Sequence, residues 1–151
     1  MKTIAITGFH AHVYFRDADE RSRALALRAE IGRRFREVTL GRVHDRRVGP
    51  HPVPMYQVAF SAEDVATFLP FLMVARDGLP VLVHPLTGDP LAEHTEQACW
   101  LGEVLPLRTE VFAAASSTPE ASTRSAPSST GQASIHSTDQ ASTNSTRSST
   151  D

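Results

Sequence analysis

The order of strand-like and helix-like segments is the feature of this sequence that most restricts its fold. Six segments carry the pattern: strand 9–15, helix 17–36, strands 37–43 and 55–60, helix 62–76 and strand 79–85. This β-α-β-β-α-β order predicts an α+β protein with a ferredoxin-like sandwich, in which two helices cover one face of an antiparallel sheet. The usual strand order of that sandwich is 4-1-3-2, so the first and fourth strands should lie side by side.

Local signals predict where the helices begin. Asp17 or Asp19 can cap the first helix. Ser61 followed by Asp64 resembles a capping box for the second, and Pro70 falls near the middle of that helix or marks a break in it. We expect a further short helix at 93–101, followed by an irregular stretch.

The second face of the predicted sheet needs a cover. Two helices on one face leave the opposite face bare. Either the extra segment at 91–112 folds back over it or a partner subunit covers it, and we expect a homodimer.

The composition changes sharply after residue 112. Roughly half of residues 116–151 are Ser or Thr, the only large aliphatic side chain there is Ile135, and there is no aromatic residue. Such a segment cannot bury enough apolar surface to offset its chain entropy. We therefore predict a folded domain at 1–112 and a disordered Ser/Thr-rich tail at 113–151.

Charge and composition exclude some classes of function. The formal net charge is −2, and no aromatic residues alternate with the basic ones, so nucleic-acid binding is not indicated. The densest basic stretch fits a solvated helix face and loop, with an anion site as the alternative. It contains Arg33, Arg34, Arg36, Arg42, Arg46 and Arg47.

Cysteine content and hydropathy bear on location. Cys99 is the only cysteine, so no intrachain disulfide can form. The longest apolar stretch, 68–75, is too short to span a membrane, and the N-terminus does not resemble a signal peptide. These features favour a cytoplasmic protein that does not act at a membrane.

Three histidines should share one face of the sheet. Strand residues alternate between faces, so Ala11 and Val13 point one way while His10 and His12 point the other. His84 shares the parity of His10 and His12, and its strand should run antiparallel beside theirs. Neutral imidazole is the commonest metal-binding side chain. The pattern predicts a metal site with His10, His12 and His84 as ligands, or else three polar residues on a half-exposed sheet.

Other polar residues lie near this group in the sequence. His51 sits in a proline-rich loop, and His94 follows a turn. Asp89 or Glu93 could complete a site of two histidines and one carboxylate, but they also suit a turn and the first turn of a helix. Ser61 has no base partner in the sequence, so a serine hydrolase is not indicated.

Four blocks of the sequence resemble the DOPA 4,5-dioxygenase family. They are HAHVYF, GPHPVPMYQVAF, LPVLVHPLTGD and EHTEQACWLGEVLPL, and the resemblance covers about residues 9–107. It implies a ferredoxin-like fold, often dimeric, and extradiol cleavage of L-DOPA or another catechol by O₂ with non-haem Fe(II). The family histidines correspond to His10, His12, His51, His84 and His94.

The resemblance leaves the division of labour among these histidines open. We assign His10, His12 and His84 to the metal, and His51 and His94 to catalysis, with at least one of these two acting as an acid or base. The alternative is that His94 is a ligand in place of His10. Glu93 stands where the family commonly has Asp, which conserves the charge.

Two other functions fit the same predicted fold. A cofactor-free or haem-handling monooxygenase would need an apolar sheet face rather than three histidines. A non-catalytic module that binds a small aromatic ligand or a metal is compatible with the histidines alone.

Overall fold

The computed structural model describes residues 5–116, and residues 1–4 and 117–151 lie outside the described part. The strands are β1 (Phe9–Tyr14), β2 (Thr39–His44), β3 (Met55–Phe60), β4 (Val81–Pro85) and β5 (Cys99–Leu101). The helices are α1 (Ala18–Arg34), α2 (Val65–Ala75), α3 (Pro90–His94) and α4 (Glu110–Ser116).

The five strands form one antiparallel sheet in the order β2-β3-β1-β4-β5. The first four strands have the predicted 4-1-3-2 order, so the ferredoxin-like α+β fold is confirmed. β1 lies at the centre, between β3 and β4. β5 extends the sheet by pairing Cys99 with Val83 and Leu101 with Val81.

One face of the sheet holds the main hydrophobic core. Alternate β1 residues, Ala11 and Val13, are fully buried there. They lie with Ile31 of α1 and Phe68 and Leu72 of α2 in a single cluster of buried side chains. This is the face that strand parity assigns to the helices, so the residues between them point to the other face.

The second face is covered by the chain itself. Tyr14, Met55 and Leu82 are buried in a second cluster on this face. Leu105, from the irregular segment after β5, is 6% exposed and belongs to the same cluster. Of the two alternatives for covering the bare face, the segment at 91–112 therefore covers this part of the sheet, and a partner subunit stays a prediction.

The starts of α1 and α2 follow the predicted signals. Asp17 is the N-cap of α1 and accepts a hydrogen bond from the Glu20 N–H at 2.8 Å. Ser61 and Asp64 bond reciprocally before α2, as in a capping box, although the helix itself begins only at Val65. Pro70 lies inside α2 without ending it.

The prediction of a helix at 93–101 is wrong. Asp89 caps a helix that starts at Pro90, a favourable first helical residue, and this helix ends at His94. His94 is thus the last residue of α3, whereas the prediction placed it near the start of a helix. Residues 99–101 form β5 because the edge of β4 offers backbone groups that a strand can pair with.

Other boundaries differ by a few residues. β2 runs to His44, so His44 ends a strand and does not lie in a loop. α4 was not predicted, and it crosses the expected domain boundary at residue 112. The Ser/Thr-rich tail lies otherwise outside the described residues, and its predicted disorder stays a prediction. No helix within residues 5–116 is long and apolar enough to cross a membrane.

Candidate metal centre

Adjacent strands bring the three predicted ligands together. His10 on β1 is the direct partner of His84 on β4, and their ring centroids are 5.3 Å apart. His12 follows two residues later on the same face, with its ring 5.2 Å from that of His84. The two Nε2 atoms of His12 and His84 are only 3.1 Å apart. The parity argument from the sequence therefore places all three side chains correctly.

The two other predicted histidines join the same group. The ring of His51 lies 4.2 Å from that of His12, and the ring of His94 lies 4.3 Å from that of His84. His51 reaches the sheet from the loop between β2 and β3, where its backbone forms a bridge with Val48. We call the five residues His10, His12, His51, His84 and His94 the histidine cluster.

Backbone carbonyls orient two of the rings. The Nδ1 atom of His84 lies 3.0 Å from the Pro85 oxygen, and that of His94 lies 2.8 Å from the Pro90 oxygen. A carbonyl only accepts, so each Nδ1 carries the proton. A neutral ring then has its lone pair on Nε2. This arrangement is typical of histidines that bind metals through Nε2.

Side-chain partners orient two more rings. The Gln57 amide nitrogen lies 3.1 Å from His10 Nε2, and the Tyr14 hydroxyl lies 2.8 Å from His51 Nδ1. The hydroxyl can donate or accept, so both neutral tautomers of His51 are compatible with this bond. Tyr14 and Gln57 both lie on the face of the sheet that carries the histidines, since Tyr14 shares the parity of His12 and Gln57 pairs with His12.

Burial keeps the cluster uncharged. His12 and His84 are 2% and 1% exposed. Loss of hydration, and then the neighbouring histidines, hold the pKa of His12 well below its ordinary value. Burial is also the main cause that lowers the pKa of His51 to about 3 and that of His84 to about 4. Neutral imidazole is the form that binds a metal ion.

Glu93 is buried and tied to the loop before α3. Its Oε1 accepts hydrogen bonds from the N–H groups of Thr87 at 2.6 Å and Gly88 at 2.8 Å. Burial raises its pKa, but these bonds outweigh that effect, so the pKa lies below the ordinary value. Its Oε2 lies 4.0 Å from His84 Nδ1. Glu93 therefore fixes the turn between His84 on β4 and His94 on α3. Its carboxylate also lies close enough to both histidines to share a metal ion with them.

Three groups of ligand atoms are close enough to hold a metal ion, each with all atoms within 4.8 Å of one another. The first is the predicted set of His10, His12 and His84. The others are His12 with His51 and His94, and His84 with Glu93 and His94.

Two further observations support a metal ion at the histidine cluster. Adjacent nitrogen ligands on one ion lie about 3 Å apart when the metal–nitrogen bonds are about 2.1 Å, which matches the close pair of His12 and His84. His12 Nδ1 is buried without a hydrogen-bond partner among the described residues, so no protein group there fixes the tautomer of this ring, and its Nε2 can present a lone pair beside that of His84. Imidazole nitrogen with one carboxylate suits Fe(II) or Zn(II).

Two large cavities lie beside the cluster, and a small one of about 130 Å³ is lined by His84 together with apolar side chains such as Phe9 and Leu69. The β2 cleft, of about 320 Å³, reaches the cluster directly, since its lining includes Gly41, Arg42, His44, His51, Met55 and Gln57. The α3–α4 cavity, of about 640 Å³, is lined by Asp89, Pro90, Leu91, Glu110 and Phe112, among others. The Phe112 ring lies 5.2 Å from that of His94, so this cavity lies beside the cluster at His94. The sequence did not indicate a role for Phe112, because no pattern in it predicts helix α4.

An open sheet with five converging histidines defines a ferredoxin-like protein with a candidate metal centre. Residues 9–111 match the model of the Dopa 4,5-dioxygenase family. The chain therefore belongs to the Dopa 4,5-dioxygenase family, as the sequence resemblance indicated.

Individual relatives agree with this assignment. A DOPA 4,5-dioxygenase of Amanita muscaria is 37% identical over 68% of this chain, and an uncharacterized 21.2 kDa protein of Botryotinia fuckeliana is 38% identical over 66%. The matches span only 48% and 60%, respectively, of the length of these relatives. A solved structure from Nostoc punctiforme, described as a candidate dioxygenase, is 48% identical with a TM-score of 0.70. The match includes 94% of the Nostoc punctiforme chain and 73% of this chain.

Proposed function

We propose that this protein is an extradiol dioxygenase that opens the ring of L-DOPA or a related catechol with O₂ and non-haem Fe(II). The observation that carries the proposal is the convergence of five histidines, all with lowered pKa values, on a face of the sheet that the β2 cleft reaches. Membership in the Dopa 4,5-dioxygenase family supports the reaction class. The name of the Amanita muscaria relative supports the choice of catechol.

We assign the metal to His10, His12 and His84. The fixed proton on Nδ1 of His84 supports its assignment, because Nε2 then offers a lone pair beside the Nε2 of His12. His10 is less favourably placed, since Gln57 contacts its Nε2. His94 has the same carbonyl-bound Nδ1 as His84, and it remains the alternative to His10 as third ligand.

Fe(II) bound there would supply Lewis acidity toward the catechol oxygens and electrons for the activation of O₂. The protein supplies the proton acceptor. His51 is neutral, and it can hold its own proton on Nδ1 against the Tyr14 oxygen and present the Nε2 lone pair to a catechol hydroxyl. The burial that raises the pKa of Tyr14 keeps its hydroxyl protonated, so the hydroxyl can also donate to His51.

The overall reaction balances without another reductant. A catechol and one O₂ give one ring-opened product that contains both oxygen atoms, with an aldehyde at one new end and a carboxylic acid at the other. The ring carbon–carbon bond beside the diol breaks, and the proton that His51 takes up returns to the product. Such a semialdehyde is yellow, which gives the reaction a direct signal.

Anaerobic reconstitution with Fe(II), followed by a panel of catechols and oxygen, tests the proposal. We expect oxygen uptake and a yellow product in equal amounts, and neither with Zn(II) in place of iron. Iron binding without oxygen uptake for any catechol would instead favour a non-catalytic binding module. Activity without added metal after chelation would favour a cofactor-free monooxygenase.

A further inference from the structure

The β2 cleft combines the candidate catalytic group, His51, with one positively charged side chain, Arg42. His51 and Gln57 line its inner part, and Gln57 contacts His10 of the histidine cluster. Arg42 and His44 line its outer part. A substrate ring that meets His51 through this cleft therefore has its ring substituent near Arg42.

Arg42 has no partner of its own. It is exposed, and its guanidinium forms no ion pair or hydrogen bond among the described residues. The same holds for Arg46 and Arg47 in the adjoining loop, whereas the one acid there, Asp45, is bound to Arg21 at 2.7 Å. Most other arginines in the described part are paired, for example Arg33 with Glu30. The charge beside the cleft is thus not neutralised by the protein.

Sheet geometry sets the distance between this charge and the cluster. The ladder is irregular between Leu40 and Val43, and Gly41 lies against Gln57, which is opposite His12 in β1. Arg42 is therefore two strand spacings, or about 10 Å, from the line of His12. A Cβ on Gly41 would lie 3.1 Å from the Gln57 backbone oxygen. Glycine at this position therefore lets β2 lie close to β3 and leaves space in the cleft. A flexible arginine can close the remaining gap to a substituent of two or three carbons.

The α3–α4 cavity is lined by acidic rather than basic side chains. Asp89 and Glu110 line the α3–α4 cavity, but no member of the histidine cluster lines it. Glu110 is also partly neutralised by Arg108 at 3.4 Å. The β2 cleft, which His51 and the unpaired Arg42 line, is therefore the better route for a ring that carries a negative charge.

We propose that Arg42 is a specificity-determining residue that binds a carboxylate on the side chain of the catechol. Guanidinium and carboxylate match in geometry as well as charge. This inference rests on the proposed function and narrows its substrate class to catechols with an acidic side chain. Catechols with only an amine on the side chain should be poor substrates.

Three substrates with the same ring separate charge from shape: 3-(3,4-dihydroxyphenyl)propionate, 4-ethylcatechol and dopamine. With the iron-loaded full chain, we expect Arg42→Gln to lower kcat/KM about tenfold for the propionate, mainly through KM, as for a partly exposed ion pair. Activity on 4-ethylcatechol should stay within about twofold. Arg42→Glu should reverse the preference toward dopamine. Arg36→Gln is the matched control, because it removes an exposed charge that lies outside the cleft.

A binding measurement on the metal-free protein gives an independent result. In an NMR titration, 3-phenylpropionate should bind to the parent chain and about tenfold more weakly to Arg42→Gln, while 2-phenylethanol should not distinguish them. Equal losses of kcat/KM for all three catechols, or no loss for the propionate, would overturn the role of Arg42. If no catechol is turned over at all, the proposed function fails, and the titration still decides whether Arg42 binds a carboxylate.

Discussion

At the scale of single residues, the histidines differ in the partner of the second ring nitrogen. His84 and His94 donate Nδ1–H to backbone carbonyls, which fixes their orientation before any ligand arrives. His51 bonds instead to a hydroxyl that can both donate and accept. A fixed tautomer suits a metal ligand, and an exchangeable one suits proton transfer.

His12→Ala and His84→Ala should each abolish metal binding and turnover. Both rings are buried in the cluster, and the loss of one ligand from a set of three removes most of the affinity. Metal analysis after reconstitution measures the effect, and circular dichroism checks that the fold is intact. Normal iron content in either variant would remove that residue from the ligand set.

His51→Ala should retain iron but lose turnover by about 10²- to 10⁴-fold, as expected for an acid or base. Tyr14→Phe is the matched variant, because it keeps the ring and removes only the hydroxyl that contacts His51. The same pair of measurements on His94→Ala decides between catalysis and metal binding for that residue. Parent rates and normal iron in both alanine variants would contradict the catalytic assignment.

At the scale of elements, the short segment from β4 to α3 connects three parts of the site. β4 carries His84, α3 ends at His94, and the turn between them is held by Glu93. Glu93 accepts from two backbone N–H groups of this turn. Glu93 lies in the first turn of a helix, as predicted. It has a second role, since its carboxylate fixes the preceding loop.

Glu93→Ala should destabilise the protein by about 2–4 kcal/mol, because it leaves two part-buried N–H groups without an acceptor. Glu93→Gln keeps an oxygen acceptor and should cost less. Urea denaturation of the metal-free variants measures both. If the two substitutions have equal effects on the free energy of unfolding, the hydrogen bonds to Thr87 and Gly88 are not what makes Glu93 important.

At the scale of the whole molecule, the buried cluster makes stability depend on pH. The unfolded chain binds protons on its histidines below about pH 6.5, whereas the folded state holds His51 and His84 neutral down to about pH 3 and 4. The folded state thus binds fewer protons in this range, and its stability must fall as the pH falls from 6.5.

We expect the urea midpoint of the metal-free protein to decrease steadily between pH 6.5 and 4. The double variant His51→Gln, His84→Gln should show a shallower decrease, because two of the shifted groups are gone. A midpoint that does not change across this range would mean that the rings are not held neutral by the fold.

Deletion of residues 116–151 should leave the melting temperature and activity unchanged. The family match ends at residue 111, and the deleted segment is rich in Ser and Thr. A large drop in melting temperature would show that the tail contributes to the fold. The homodimer and the cytoplasmic location likewise stay predictions, which sedimentation and cell fractionation can test.

The sequence by itself determined the first four strands of the sheet and the side on which its histidines lie. Strand alternation is a local property, so HAH in β1 and the parity of His84 were enough to place three rings on one face. The β-α-β-β-α-β order then made β1 and β4 neighbours, which brought His10 opposite His84.

Only the tertiary structure decided how the remaining parts meet. β5 is strand rather than helix because β4 offers an edge to pair with, and this pairing is invisible in residues 99–101 alone. His51 reaches the cluster from a loop, and His94 and Phe112 reach it from the short helices α3 and α4. The positions of these segments depend on long-range packing and not on a repeating pattern. The tautomers of the rings and the unpaired charge of Arg42 likewise depend on which groups the folded chain places beside them.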